Sequence, residues 1–271
     1  MSKYEQAGPG PDLSQTYFAT GREVDHERAR LERLAAEYDP WTQDWLSDVV
    51  SVQPGHRVIE AGPGAGSMLD WLAAEVGEGG EVLGLDLELR HTAAPVDPIR
   101  HRQGDVAAEP TEPGRFDLAY ARLLFEHLDA PEAALAQFAA WLKPGGRLAV
   151  IALDCSVTRA EPGQGETGAS FDRAVEVVTD ALAASGLVDP VFGVKLPDVL
   201  AGLGLDAVKT RRFDRVLEGG SDWAVFLAEN NLAIAAQLGV TGPAQIVADA
   251  MRRPGFRFRD QALVGVSAVR L

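Results

Sequence analysis

The stretch that decides the fold is RVIEAGPGAGS, residues 57–67. Its first half is apolar enough for a buried strand, and Gly62, Gly64 and Gly66 follow at every second position before the helical pattern SMLDWLAAEV. Glycine lets the backbone turn sharply and brings unhindered N–H groups and a helix N-terminus close to an anionic ligand. The stretch predicts a strand, a ligand-binding glycine loop and a helix, although a tight turn without a ligand has the same pattern.

The same alternation of strand and helix continues toward the C-terminus. Strand patterns occupy residues 81–87, 99–106, 116–124, 147–154, 206–217 and 262–271, and helical patterns lie between most of them. An alternation of this kind is typical of parallel sheets with helices on both faces. It predicts an α/β protein with a doubly wound, mostly parallel sheet of seven strands.

Further helices are predicted outside this sheet. One runs from Arg22, and a second starts at Asp39-Pro40, before the first strand. We therefore expect an N-terminal lid and helices in residues 1–50 and the main domain in residues 51–271. The connection at about 155–197 is longer than a strand-to-helix crossover requires, and it predicts a helical cap over the substrate.

Composition excludes several classes of protein. The 271 residues are 46% hydrophobic, which suits one large domain. A net charge of −15 disfavours binding to nucleic acid or to an anionic membrane. The single cysteine, Cys155, cannot form an internal disulfide, and no signal peptide or apolar stretch of about 20 residues is present. We therefore expect a cytoplasmic protein. We also expect no bound metal, since the acidic residues near Glu161 lack metal-binding spacing.

Carboxylates follow two of the predicted strands. Asp86 ends the second strand, where a carboxylate can accept hydrogen bonds from the two hydroxyls of a ribose. Asp105 follows Gly104 at the end of the third strand, where it could accept from an exocyclic amino group while Val106 packs on the base. Asp86 alone would also fit a surface acid that caps a turn, but the two together indicate a nucleoside site.

The runs VIEAGPGAG, GLDL, QGDV, FDLAYARLLFEHL and LKPGGRLAVI together resemble the ordered motifs of class I S-adenosylmethionine (SAM)-dependent methyltransferases. The resemblance covers roughly residues 20–271 and is greatest to the branch with ubiquinone and menaquinone biosynthesis enzymes and secondary-metabolite methyltransferases. It implies a Rossmann-like methyltransferase fold that binds SAM and releases S-adenosylhomocysteine (SAH). The cofactor-binding residues that it implies are Glu60, Gly62, Pro63, Gly64, Gly66, Asp86, Leu87, Gly104, Asp105, Val106 and Arg122.

Two regions qualify this resemblance. The N-terminal segment resembles the lid helix of this branch, from which Tyr17 or Arg33 would reach the cofactor. The connection between Asp86 and Asp105 is shorter than in the family and contains Pro95 and Pro98. Because proline disrupts helices, we expect the helix at this place to be shortened or missing.

Methyl transfer from a sulfonium needs little more than positioning and exclusion of water. His127 and Tyr120 are the catalytic candidates, as a general base for a hydroxyl nucleophile, although a histidine in FEHL also fits simple packing. We expect O-methylation of a small molecule, a secondary metabolite or quinone-like compound, with N- and C-methylation open. The alternatives are a cyclisation or rearrangement on the same fold, a non-catalytic SAM-binding subunit, and, less well matched, an NAD-linked dehydrogenase. Amphipathic helices could also form a homodimer.

Overall fold

The computed structural model describes residues 24–108 and 113–271. Within them the chain forms ten strands, β1 (Arg57–Ala61), β2 (Glu81–Asp86), β3 (Ile99–Gln103), β4 (Phe116–Arg122), β5 (Leu142–Asp154), β6 (Arg159–Ala160), β7 (Asp206–Phe213), β8 (Val216–Glu218), β9 (Arg257–Arg259) and β10 (Ala262–Val269). The seven helices are α1 (Val24–Val49), α2 (Ser67–Val76), α3 (Pro131–Ala140), α4 (Gly165–Ser185), α5 (Phe192–Gly202), α6 (Asp222–Leu238) and α7 (Thr241–Arg252).

Seven of these strands form the main sheet in the order β3-β2-β1-β4-β5-β10-β7. The pairs from β3 to β5 are parallel, whereas β10 runs antiparallel to both of its neighbours. The predicted doubly wound, mostly parallel sheet is confirmed. The strand order reverses between β1 and β4, and in open α/β sheets this reversal opens a ligand crevice at the carboxyl ends of the strands.

Both faces of the sheet are buried. On one face, Val58 and Leu118 join a cluster that includes Trp45 of α1 and Leu72 of α2. On the other face, alternate residues of the same strands pack with α3 and α5, as Ile59 does. Covering both faces explains why the strands read as nearly continuous apolar runs. It also leaves the carboxyl edge of the sheet as the place where polar side chains collect.

The two helices predicted before β1 are one helix, so that prediction was wrong. α1 runs through Pro40 without interruption. An interior proline removes one backbone hydrogen bond and strains the turn before it. Packing outweighs this cost, because Tyr38 before the proline and Trp45 after it are both fully buried. Thr42 adds a bond from its hydroxyl to the Tyr38 carbonyl at 2.8 Å.

A second, three-stranded sheet has the order β6-β9-β8. The pattern at residues 206–217, predicted as one strand, is divided between β7 of the main sheet and β8 of this small one, so that prediction was also wrong. The antiparallel pairing of β8 with β9 takes up the end of the pattern. The expected loss of the helix between β2 and β3 is confirmed, since residues 87–98 contain none.

Three helices pack on one another beyond the carboxyl edge of the main sheet: α4, α6 and α7, called here the cap helices. α4 lies within the predicted cap segment, whereas α6 and α7 come from the connection between β8 and β9. α5, at the end of that predicted segment, packs on β5 and β10 of the main sheet instead. Two separate connections thus supply the cap helices.

Candidate active site

A continuous cavity of about 400 Å³ lies along the carboxyl edge of the main sheet. One part, the glycine-loop end, is lined by residues that follow β1, β2 and β4. The other part, the helical chamber, lies under the cap helices and is lined by Val175, Val178, Thr179, Leu182, Leu227, Asn230, Asn231, Ile234, Val247 and Met251. α1 borders the cavity with residues that include Leu31, Leu34 and Tyr38. The arrangement joins a polar site to a largely apolar one.

The glycine loop forms the floor of the first part. Gly62 has φ of +70°, a conformation that L side chains rarely adopt, and its N–H donates to the Leu85 carbonyl at 2.9 Å. A Cβ atom at this position would lie 3.3 Å from Leu124 Cδ1. The loop then leads through Gly66 into the first turn of α2. Glycine at position 62 therefore allows both the turn and the tight packing.

Asp86 lies at the end of β2 and lines the cavity. Burial raises the pKa of its carboxyl group to about 6, and Oδ1 accepts a bond from the Glu88 N–H at 3.0 Å. A carboxylate has about four acceptor positions, so capacity remains for further donors. A pair of ribose hydroxyls would satisfy it.

Glu60 lies in β1 and also lines the cavity, although its side chain is only 3% exposed. Burial raises its pKa to about 8, and the positive charge of Arg122 lowers it only in part. Its Oε2 atom has no hydrogen-bond partner within residues 24–108 and 113–271. A buried, neutral carboxyl group of this kind ionises when a cationic ligand comes close.

Arg122 ends β4 beside these groups and ties the sheet to α1. Its Nη2 atom lies 2.7 Å from Asp39 Oδ1, and its Nη1 atom donates to Thr42 Oγ1 at 2.9 Å. Arg122 is one of the predicted site residues, but neither of its two partners was predicted. They lie 83 and 80 residues away, and no local pattern marks such a pair.

The structure places the predicted cofactor residues in two groups. Those that line the cavity are Glu60, Gly62, Pro63, Gly64, Asp86, Leu87 and Arg122, and those that do not are Gly66, Gly104, Asp105 and Val106. Asp105 Oδ1 accepts from the Ala107 N–H at 2.8 Å, which caps the turn after β3. Tyr17 falls outside the described residues. Arg33 is exposed on α1 and donates to the Asp222 carbonyl at 2.6 Å.

The two catalytic candidates differ in position. His127 lines the cavity, and burial lowers the pKa of its imidazole to about 4. Its Nδ1 atom lies 3.1 Å from the Leu187 carbonyl, which a neutral ring with the proton on Nδ1 satisfies. Tyr120 is fully buried in β4 and does not line the cavity, and burial raises its pKa. The structure therefore brings His127, and not Tyr120, to the cavity wall.

The described part of the chain contains neither a metal-binding cluster nor a membrane-spanning helix. No group of three or more His, Cys, Asp or Glu side chains there could hold a metal ion. Nor does any helix in residues 24–108 and 113–271 have the length and apolar character needed to span a membrane.

Known proteins of similar sequence include two from bacteria. Nocamycin O-methyltransferase of Saccharothrix syringae is 32% identical over 134 residues, which are 44% of this chain and 48% of that protein. An uncharacterized 37.1 kDa protein in transposon Tn4556 of Streptomyces fradiae is 27% identical over 149 residues, 53% of this chain and 42% of that protein. The matched regions thus span about half the length of these relatives.

Solved structures share the fold at low sequence identity. Phosphoethanolamine N-methyltransferase 2 of Haemonchus contortus, in complex with SAM, has a TM-score of 0.57 and 14% identity, covering 94% of this chain and 59% of that one. The [4+2]-cyclase SpnF has a TM-score of 0.51 and 18% identity, covering 84% of this chain and 78% of that one. At such identities the likeness bears on the fold alone.

The family described as "Methyltransferase domain" matches residues 25–175, which take in α1, the glycine loop and the strands from β1 to β6. This range is more than half of the chain, and the fold agrees with it. The chain therefore belongs to the methyltransferase domain family.

Proposed function

We propose that the chain transfers the methyl group of SAM to an oxygen atom of a small, largely apolar acceptor, a secondary metabolite or quinone-like compound. The observation that carries the proposal is the continuous cavity, because one space joins the glycine loop and Asp86 to a largely apolar chamber. Its volume is in the range of small-molecule sites. A donor in the glycine-loop end would face an acceptor in the helical chamber.

The residues at the glycine-loop end fit the parts of SAM. Asp86 offers a carboxylate to the ribose hydroxyls, and the unpartnered Oε2 of Glu60 offers an acceptor to the methionine ammonium group. Gly62, with its positive φ, leaves the backbone of the loop open to close approach. These residues would hold the cofactor across the switch point of the sheet.

When bound, SAM supplies an electrophilic methyl group on a sulfonium. The chain's own contribution is to enclose the acceptor, because the cap helices and α1 surround the chamber with apolar side chains that exclude water. We assign His127 the task of orienting the acceptor hydroxyl. Its imidazole lines the cavity and is neutral above about pH 5, since its pKa is about 4.

The nocamycin O-methyltransferase relative supports oxygen as the acceptor atom, because it is similar to almost half of this chain. A cytoplasmic location and the absence of a nucleic-acid substrate belong to the same proposal. The second of these agrees with the net charge of −15, which opposes binding to polyanions.

The direct test is transfer of an isotope-labelled methyl group from SAM to a panel of phenols, hydroxyquinones and their amine counterparts, followed by mass spectrometry. Labelled methyl ethers would support the proposal. Labelled amines, or no labelled product from a protein that binds SAM, would contradict O-methylation. Conversion of a panel member with SAH in place of SAM would instead favour a cyclisation or rearrangement.

A further inference from the structure

Three polar side chains from distant segments meet in the wall of the cavity. They are Tyr38 of α1, Cys155 after β5 and Gln261 before β10, and all three line the cavity. Gln261 Nε2 donates to the Tyr38 hydroxyl oxygen at 3.2 Å, and the Cys155 thiol lies 3.8 Å from Gln261 Oε1. The amide is thus held with its nitrogen toward the tyrosine and its oxygen toward the thiol.

Packing fixes the tyrosine ring in this place. Its ring meets the Trp223 ring edge-on, with centroids 5.4 Å apart, and the Arg215 guanidinium lies 5.9 Å from its centroid. Asp260 holds both of these neighbours, since its Oδ2 atom accepts from Trp223 Nε1 at 3.1 Å and from Arg215 Nη2 at 3.0 Å. The ring is fully buried, so its hydroxyl group has little freedom to move.

The same aspartate also positions the amide. Asp260 Oδ1 accepts a bond from the backbone N–H of Gln261 at 2.8 Å. The order of support therefore runs from Arg215 and Trp223 through Asp260 to Gln261, and from Gln261 to Tyr38. The series ends at one further donor, whose oxygen the Gln261 side chain orients.

That last donor is the hydroxyl of Tyr38. Because its oxygen accepts from Gln261, its proton must find a separate acceptor. No acceptor for this proton is found within residues 24–108 and 113–271. Burial raises the pKa of the hydroxyl, so the proton stays on the oxygen at neutral pH. A buried donor without a partner is costly, and a ligand oxygen would remove this cost.

We propose that the Tyr38 hydroxyl recognises a carbonyl-type oxygen on the acceptor, with Gln261 as the residue that positions it. The inference rests on the proposed function, since it names the class of acceptor as an apolar, ring-containing ketone or quinone. The surrounding wall agrees with this class. Leu34, Leu153 and Leu227 line the cavity too, and they offer contact to rings and no hydrogen bonds.

The test compares two ligands that differ by one carbonyl oxygen, 1-tetralone and tetralin, on the protein in the presence of excess SAH. We expect the wild-type chain to bind 1-tetralone about tenfold more tightly than tetralin, measured by saturation-transfer NMR titration. Tyr38→Phe keeps the ring and removes the donor. This variant should bind the two ligands about equally tightly, with the affinity for tetralin unchanged from the wild type.

Ser267→Ala is the matched control, because it removes a hydroxyl that is fully buried in β10 and does not line the cavity. Its preference for 1-tetralone should equal that of the wild type. Gln261→Met removes the positioning donor but leaves the Tyr38 hydroxyl, and we expect a preference between those of wild type and Tyr38→Phe. Retention of the full preference in Tyr38→Phe, or its absence in the wild type, would overturn the assignment.

SAH titration of the same samples separates this inference from the proposed function. SAH binding without a Tyr38-dependent preference would remove Tyr38 and leave the proposed methyl transfer in place. A Tyr38-dependent preference in a protein that does not bind SAH would keep the carbonyl site and remove the proposed function.

Discussion

The glycine-loop end and the helical chamber are two parts of one cavity, yet they are built in different ways. The first takes Glu60, Gly62 and Asp86 from the ends of adjacent parallel strands. The second takes its wall from three helices that two separate connections supply. The first presents polar groups at set positions of the sheet, whereas the second presents mainly apolar surface. A common cosubstrate can use the former, while the latter is free to vary with the acceptor.

The largest effect should come from filling the chamber. Leu182 of α4 lines it and is partly exposed, so Leu182→Trp can be accommodated by the fold while its indole occupies the chamber. We expect acceptor methylation to fall by at least about 100-fold, because the acceptor loses its position relative to the donor. SAH affinity, measured by calorimetry, should not change.

The control is Ala183→Trp, one position along the same helix, where the side chain is exposed and does not line the cavity. It should retain both methylation and SAH affinity. Equal loss of methylation in the two variants would mean that the chamber does not hold the acceptor.

The second prediction concerns the glycine-loop end. Asp86→Ala should weaken SAH binding by about 1 to 3 kcal/mol, through the loss of charged hydrogen bonds to the ribose. Asp97→Ala is the control, since Asp97 lies on the same β2–β3 connection but is exposed and outside the cavity. If calorimetry gives the two variants equal affinity, Asp86 does not bind the ribose.

The contrast between the two parts also explains what the sequence could predict. The glycine loop, Asp86 and the order of the main strands follow from local patterns, because strand periodicity and turn residues act over a few positions. The continuity of α1 through Pro40 does not, since burial of Tyr38 and Trp45 decides it. The division of residues 206–217 depends likewise on β9, about 40 residues further along the chain.

Side-chain contacts across the cavity were the least predictable part. Tyr38 and Gln261 are 223 residues apart, and neither lies in a recognisable motif. Arg122 was named at the end of β4, but its contact with Asp39 depends on how α1 crosses the sheet edge. Such contacts depend on tertiary packing, which a single sequence does not record. The chemistry of the glycine-loop end could therefore be predicted from the sequence, whereas that of the helical chamber required the structure.

The third prediction concerns protein stability and a buried carboxyl group that lies outside both parts of the cavity. Glu126 is 2% exposed, its Oε1 atom accepts from the Leu153 N–H at 3.3 Å, and burial raises its pKa to about 7. The folded state thus holds a proton that the unfolded chain releases near pH 4.5. The contribution of this raised pKa to the free energy of unfolding is fully present below pH 4.5 and is lost as the pH rises through about 7.

At pH 8 the free energy of unfolding of Glu126→Gln, measured by urea denaturation, should therefore exceed that of the wild type by on the order of 1 kcal/mol. At pH 4.5 the two should differ little. Glu229→Gln, an exposed substitution on α6, should show no such dependence. A Glu126→Gln variant that is less stable at pH 8 would show that the carboxylate has a partner in the folded protein.

The smallest expected effect is the release of protons when SAH binds at the glycine-loop end. Glu60 has a pKa of about 8, so most copies of the free protein carry its proton at pH 7. The ammonium group of SAH would favour the ionised carboxyl and lower this pKa in the complex. SAH binding at pH 7 should then release between about half a proton and one proton, and the affinity should rise with pH up to about pH 8.

Calorimetry in phosphate and in Tris measures this release, because the two buffers differ in ionisation enthalpy. Glu60→Gln should abolish most of it. Asp86, with a pKa of about 6, is already largely ionised at pH 7 and adds little. Proton release that persists in Glu60→Gln would assign it to another group, and no release in the wild type would mean that Glu60 stays neutral beside the bound ligand.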